Sequence, residues 1–289
     1  MERLLAVAVL TAIIHLINTL IYAVRISGVR TQRLATAFSL FNVIFLLAST
    51  ANSIQGFLLA SIVEKAIKTA QTQAGISVLE QLVHHPAYQV QLSVIDHNIR
   101  LVIAAATLGT LIGAALIPAF VNIFTRAIYL FEETGSVPRM LGMVIFSPRR
   151  VFGLAGEMRL PGKKTFKLAA VRRLAIPKMF LILNFFVTGI YTTGVLSALF
   201  AGALFPDFRA AAATLSAVVN GLATILSATV VDPTAAAITD QALRGERSED
   251  DVKQMALYLS ITRLLGTGFA QLIFVPSAYF IKYMASLLA

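Results

Sequence analysis

In the first apolar stretch of this 289-residue chain, His15, Asn18, Tyr22 and Arg25 stand at i, i+3, i+7 and i+10, one face of an α-helix. Asn42, Ser49 and Asn52 repeat that relation in the second stretch, with Gln55 beside them. Ser216, Asn220, Thr224 and Ser227 form a third stripe further on. The chemistry open to such stripes is hydrogen bonding and anion binding in an apolar setting. Ser, Thr and Asn often serve as glue between helices. Three stripes with a histidine and flanking arginines are better explained by a polar cavity. His15 is either a group that titrates near neutrality or a neutral hydrogen-bonding one.

Two more sites stand out. Arg263 lies inside the last apolar stretch, where a charge needs a partner or water, unless that stretch begins at about Leu264 and Arg263 reaches back to the interface. Asp232 precedes Pro233, which disfavours helical geometry at Asp232 and predicts the end of its helix. Its carboxylate is then free to cap the next segment or to pair with an arginine.

Bond-making chemistry finds no support. There is no His-Glu-x-x-His, no Gly-x-Ser-x-Gly, no Walker A lysine loop, no Asp-rich magnesium motif and no cysteine. His84-His85 and Asp96-His97 lack helical ligand spacing. No catalytic residue, metal or cofactor is expected, so transport would draw on a gradient or the membrane potential, or merely equilibrate its substrate.

The elements that carry these residues are membrane helices. Apolar residues make up 57% of the chain and charged ones 13%, with a mean hydropathy of +0.80. Soluble domains carry about 25% charged residues, because their surface must be solvated. Residues 4–24 form a first span whose length, about 31 Å, matches a hydrocarbon core of about 30 Å. Further spans are predicted at about 34–60, 101–124, 179–205, 210–231 and 255–281. The fold expected is a single all-α polytopic domain with about six transmembrane helices. The first stretch is too long for a signal-peptide core and has no cleavage site. Residues 61–99 are predicted to form short amphipathic helices on or outside the bilayer. Residues 125–178 form a long, very basic loop.

Orientation comes from the cations. The loops after spans one, three and five carry 17 of the 24 Lys and Arg, and the opposite side carries six. The positive-inside rule places 125–178 in the cytoplasm, with both termini and 61–99 outside. Arg100 then sits near the outer surface and Arg263 near the inner one. The net charge of +10 points to anionic lipids or phosphate groups rather than nucleic acid.

There is also an internal echo. Arg100-Leu101, Leu108-Gly109-Thr110 and Pro118 recur as Arg263-Leu264, Leu265-Gly266-Thr267 and Pro276. Two inverted three-helix halves would produce it, with a site between them near the midplane. Chance recurrence of Gly, Thr, Leu and Pro in apolar helices would produce it too.

The N-terminal sixty residues resemble a known family. The run His15, Thr19-Leu20, Tyr22, Arg25, Gly28-Val29-Arg30-Thr31, Arg33-Leu34-Ala35 and Ser39-Leu40-Phe41-Asn42 is similar to the Amj family of lipid II flippases, alternates to the MurJ flippase. The likeness continues through Asn52, Ile54-Gln55 and Leu58-Leu59, and returns at Val231-Asp232-Pro233. That family usually has an arginine where this chain has Ser49 and a proline where it has Phe57, so one cation of its pattern is missing. The resemblance implies movement of the undecaprenyl-pyrophosphate-linked peptidoglycan precursor from the inner to the outer leaflet of a bacterial cytoplasmic membrane. On that reading Arg25, Arg30 and Arg33 line an inner mouth, with His15, Asn18, Asn42 and Asn52 deeper. Arg100, Arg263 and Asp232 complete the candidate substrate contacts. Guanidinium forks suit pyrophosphate because they bind two oxygens at once. A transporter or channel for a small anion or other solute is the alternative. A lipid-processing enzyme using His15 and Asp232 is disfavoured by their different depths. Oligomeric state is open.

Overall fold

A computed structural model describes residues 2–139 and 176–288. Most of the basic loop, residues 140–175, lies outside the described residues. The described chain is all helix: α1 (Glu2–Thr19), α2 (Ile21–Thr31), α3 (Leu34–Ala74), α4 (Leu79–Leu82), α5 (Pro86–Thr134), α6 (Lys178–Leu204), α7 (Arg209–Thr214), α8 (Ser216–Leu226), α9 (Asp232–Leu243) and α10 (Glu249–Leu288). Six stretches are long and apolar enough to cross a membrane: Glu2–Thr31, Leu34–Ala74, Pro86–Thr134, Lys178–Leu204, Pro206–Leu243 and Glu249–Leu287. The protein is a multi-pass helical membrane protein, as its apolar runs predict. Large apolar side chains such as Phe57, Leu47, Val218 and Leu272 are about two-thirds or more exposed, a surface that suits lipid and not water.

Spans one, three, four and six build the packed core. Span one lies along span three and span four along span six. Both contacts are set by a glycine. A Cβ on Gly109 would run into the backbone oxygen of Ala12, and one on Gly113 would meet the Leu16 oxygen at 2.9 Å. A Cβ on Gly266 would lie 2.5 Å from the Phe185 oxygen. Without hydrophobic drive between helices in lipid, such close backbone approach is what holds them. The Leu-Gly-Thr echo thus does the same packing job in both pairs.

Span two continues as α3 well past residue 60, and span three begins as α5 at Pro86. Residues 61–99 are therefore mostly extensions of two long helices joined through α4, rather than separate short helices. Val63, Ile67 and Ala70 bury against Leu82, Tyr88, Leu92 and Ile95 to make this hairpin. The Tyr88 hydroxyl donates to the Ala203 carbonyl at 2.6 Å, and Arg209 pairs with Glu64 at 2.6 Å, tying the turn between spans four and five to its base.

Span five departs most from expectation. It does not stop at Asp232-Pro233. A π turn, Ser227–Val231, comes first, and Pro233 falls in the opening turn of α9. The missing N–H of Pro233 is absorbed there, where a first helical turn has no intrahelical partner.

Candidate functional site

Two pairs of contacts provide a depth scale. The Arg30 guanidinium donates to Glu249 at 2.8 Å and to Asn122 at 3.1 Å. Arg100 donates to the Gln271 carbonyl at 3.1 Å, and Gln271 donates back to the Arg100 carbonyl at 2.8 Å. From Arg100 to Asn122 on α5, and from Glu249 to Gln271 on α10, the helix rises over the same number of residues. That rise is about 33 Å, the thickness of a hydrocarbon core. The two polar levels therefore stand about one hydrocarbon thickness apart and serve as reference heights for the other residues.

Four candidate residues stand at the Arg30 end. Arg30 is held by Glu249 and Asn122, and Arg33 pairs with Glu132 at 2.7 Å, both partly exposed. Arg25, one turn and a half deeper, is only 8% exposed, with its guanidinium 5.2 Å from the Phe38 ring centroid. Asp232 is the first anion to act on it, through space rather than through a hydrogen bond, and Asp240 acts more weakly. Asp232 itself is exposed and accepts from the Ser227 hydroxyl at 3.1 Å. The arginine and the aspartate thus share a neighbourhood without forming a closed pair.

His15 and Arg263 both stand between the two levels. Gly113 packs on the carbonyl of Leu16, so His15 lies about 15 Å from the Asn122 level and about 18 Å from the Arg100 level. Arg263 is about 21 Å along α10 from Glu249 and about 12 Å from Gln271. It stands between the two levels, nearer the Arg100 one. Arg263 is the charge that acts on His15. Among the described residues, the buried side-chain polar atoms without a hydrogen-bond partner are His15 Nδ1, Arg263 Nε and Asn220 Oδ1. Two of the three belong to this central pair. Buried polar atoms of this kind are costly and call for a polar occupant.

Local bonding explains how the pair is held. Thr19 takes up the His15 carbonyl with its hydroxyl at 2.7 Å, just before the chain breaks at Leu20 between α1 and α2. Next to Arg263, Asn184 donates to Thr262 at 2.8 Å and to the Leu259 carbonyl at 3.1 Å. Asn184, Thr262 and Glu249 were not among the residues that spacing singles out. A lone asparagine in the apolar fourth span was the available signal for Asn184. Nothing local marks Glu249 as the partner of Arg30.

Asn18 is half-buried on α1, while Asn42 and Asn52 are exposed on α3. Arg100 is bound to Asp96 at 2.8 Å and lies over the Phe274 ring. The ten candidates are therefore not one cluster. Seven of them form a succession from Arg30 and Arg33 at one end, through Arg25 and Asp232, to His15 with Arg263, and on to Arg100 at the other end, while Asn18 lies on α1 and Asn42 and Asn52 on α3.

Known proteins place the chain. A family described as Amj, alternate to MurJ, matches residues 10–285. A protein of Bacillus subtilis (strain 168) named "Lipid II flippase Amj" is 34% identical over 272 residues, which cover 94% of this chain and 93% of that protein. No solved structure matches. The polar succession, the six spans and the N-terminal motifs all fall within the matched region, and the chain belongs to the Amj family.

Proposed function

We propose that this protein moves lipid II, the undecaprenyl-pyrophosphate-linked peptidoglycan precursor, from the inner to the outer leaflet of the bacterial cytoplasmic membrane. The observation that carries the reading is similarity to a lipid II flippase along nearly the whole chain. It is a translocator and makes or breaks no bond. The basic face, with 125–178, lies in the cytoplasm among anionic lipids, and both termini lie outside.

The geometry supports a stepwise route. Arg30 and Arg33 meet the pyrophosphate first, which replaces Glu249 and Glu132 on their forked donors. Arg25 takes it next, with Asp232 as its counter-charge when no substrate is present. Arg263, with His15 and Asn18, holds it at mid-depth, and Arg100 stands at the exit. Asn42 and Asn52, on the open side of α3, offer hydrogen bonds to the sugars. The prenyl tail stays in lipid beside spans two and five. An inside-negative potential favours outward passage by about 2.3 kcal/mol per charge per 100 mV.

The test is complementation of a bacterium depleted of its own lipid II flippases, with an assay of lipid II accessibility on the outer leaflet. Restored growth with lipid II outside is the expected result. A well-inserted protein that restores neither overturns the proposal.

A further inference from the structure

At the Arg100 end of the molecule, apart from the translocation route, an open groove of about 600 Å³ runs between the start of α1 and one face of α3. Phe57, Ser61, Lys65, Lys68 and Thr72 recur on that face at helical spacing, and Arg3 closes it from α1. Its depth is set by the packing. Ala12 lies against Gly109, so Arg3 falls level with Arg100, nine residues back on each helix. Arg3 donates to the Ser61 hydroxyl at 3.4 Å, which puts Ser61 at that level too.

The groove thus has an apolar end and a cationic end. Phe57, 74% exposed, stands at the apolar end. Lys65 and Lys68 are exposed two to three turns further along α3, and Arg3 stands between. Glu64 also lines the groove, but Arg209 neutralises it at 2.6 Å. Three cations remain, none of them in an ion pair among the described residues. An amphiphile with a tail in the bilayer and more than one negative charge at the interface fits this arrangement. A phosphodiester headgroup brings one charge; a pyrophosphate brings at least two.

We propose that this groove is a receiving site for a polyprenyl pyrophosphate in the leaflet opposite the basic loop, where Arg3, Lys65 and Lys68 hold the pyrophosphate and Phe57 bears on the first prenyl units. This rests on the flippase reading and adds a place where the load stops after crossing. It also separates the cations of crossing, between the two polar levels, from the cations of arrival, on α3 and at the start of α1.

The test uses the full-length protein in nanodiscs of a zwitterionic phospholipid, with undecaprenyl pyrophosphate as the probe and native mass spectrometry as the readout. Lys65→Gln with Lys68→Gln removes two exposed charges and breaks no ion pair among the described residues. The double variant is expected to bind the probe about tenfold more weakly. Undecaprenyl monophosphate, phosphatidylglycerol and inorganic pyrophosphate are expected to compete poorly with the wild type. Unchanged binding in the double variant overturns the proposal. Phosphatidylglycerol competing as well as the probe would make this a general anionic-lipid site, and inorganic pyrophosphate doing so would remove the lipid; either overturns it. Wild-type complementation separates the two levels: if it fails, the flippase reading fails, whereas wild-type success with unchanged binding in the variant sinks only the groove.

Discussion

Spans one, three, four and six differ from spans two and five in how much of each is buried by protein. In the most apolar window of the fourth span half the residues are buried, and a third in the first, third and sixth. For the second and fifth the shares are 22% and 11%. The first group is joined by backbone contacts over glycine. The second carries Asn42, Ser49, Asn52, Thr224 and Ser227 outside that close packing, and the fifth span is built from short helical pieces around a π turn. In hydrocarbon, exposed amides and hydroxyls are tolerated where they meet a polar load or water. The contrast sets four closely packed helices, which carry the buried cations, against two that leave amides and hydroxyls open.

The sharpest way to break that contrast is to fill the glycine contacts. Gly109→Val or Gly266→Val forces a side chain into a facing backbone oxygen, for which there is no rotamer escape. We expect a loss of about 3 kcal/mol or more each and little monodisperse protein by fluorescence-detected size-exclusion chromatography. Gly56→Ala and Gly221→Ala, where a Cβ meets nothing within 4 Å, should leave the profile unchanged. If all four behave alike, packing is not what divides the spans.

Arg263→Gln tests the central step. Losing a charge-assisted contact of about 2 kcal/mol should lower lipid II export about thirtyfold with insertion intact. Arg263→Lys should retain part of it, since a point charge replaces the fork. Export at wild-type rate in Arg263→Gln would take this residue off the route.

A smaller effect is expected from Asn42→Ala combined with Asn52→Ala. Thermal stability should stay within about 0.5 kcal/mol, as for exposed positions generally, while export falls a few-fold. A clear drop in melting temperature instead would assign these asparagines to packing. The mildest change concerns the Arg30–Glu249 pair. Arg30→Glu or Glu249→Arg alone should destabilise, and the double swap should recover about 0.5–1 kcal/mol in a thermal-shift cycle. Additive effects would mean that the pair does not join spans one and six.

Much of this was legible in the sequence for a simple reason. A membrane span must be apolar over a fixed length, so six runs announce six helices. Gly109 and Gly266 were visible through the Leu-Gly-Thr echo, though only the structure shows that both meet a neighbouring backbone. Residues 61–99 misled because polarity ends a hydropathy run without ending a helix, whose bonds are local. Asp232-Pro233 misled because a proline can open a new turn after a π segment instead of closing the old one. The pairing of Arg30 with Glu249 and the electrostatic effect of Arg263 on His15 link residues more than 200 positions apart. Local spacing holds no trace of such contacts.

The two polar levels on α5 and α10 also fix how far those helices can slide past each other. Because Arg30, Asn122 and Glu249 are locked at one end and Arg100 with Gln271 at the other, a separation of about 33 Å is built into hydrogen bonds rather than left to sliding helices. A bilayer of other thickness must then adapt to the protein. Each ångström of hydrophobic mismatch costs a fraction of a kcal/mol, met by tilt or by local stretching and thinning of the lipid. Lipid chain length thereby becomes a control on the protein: bilayers that match its apolar belt should accommodate it with the least deformation.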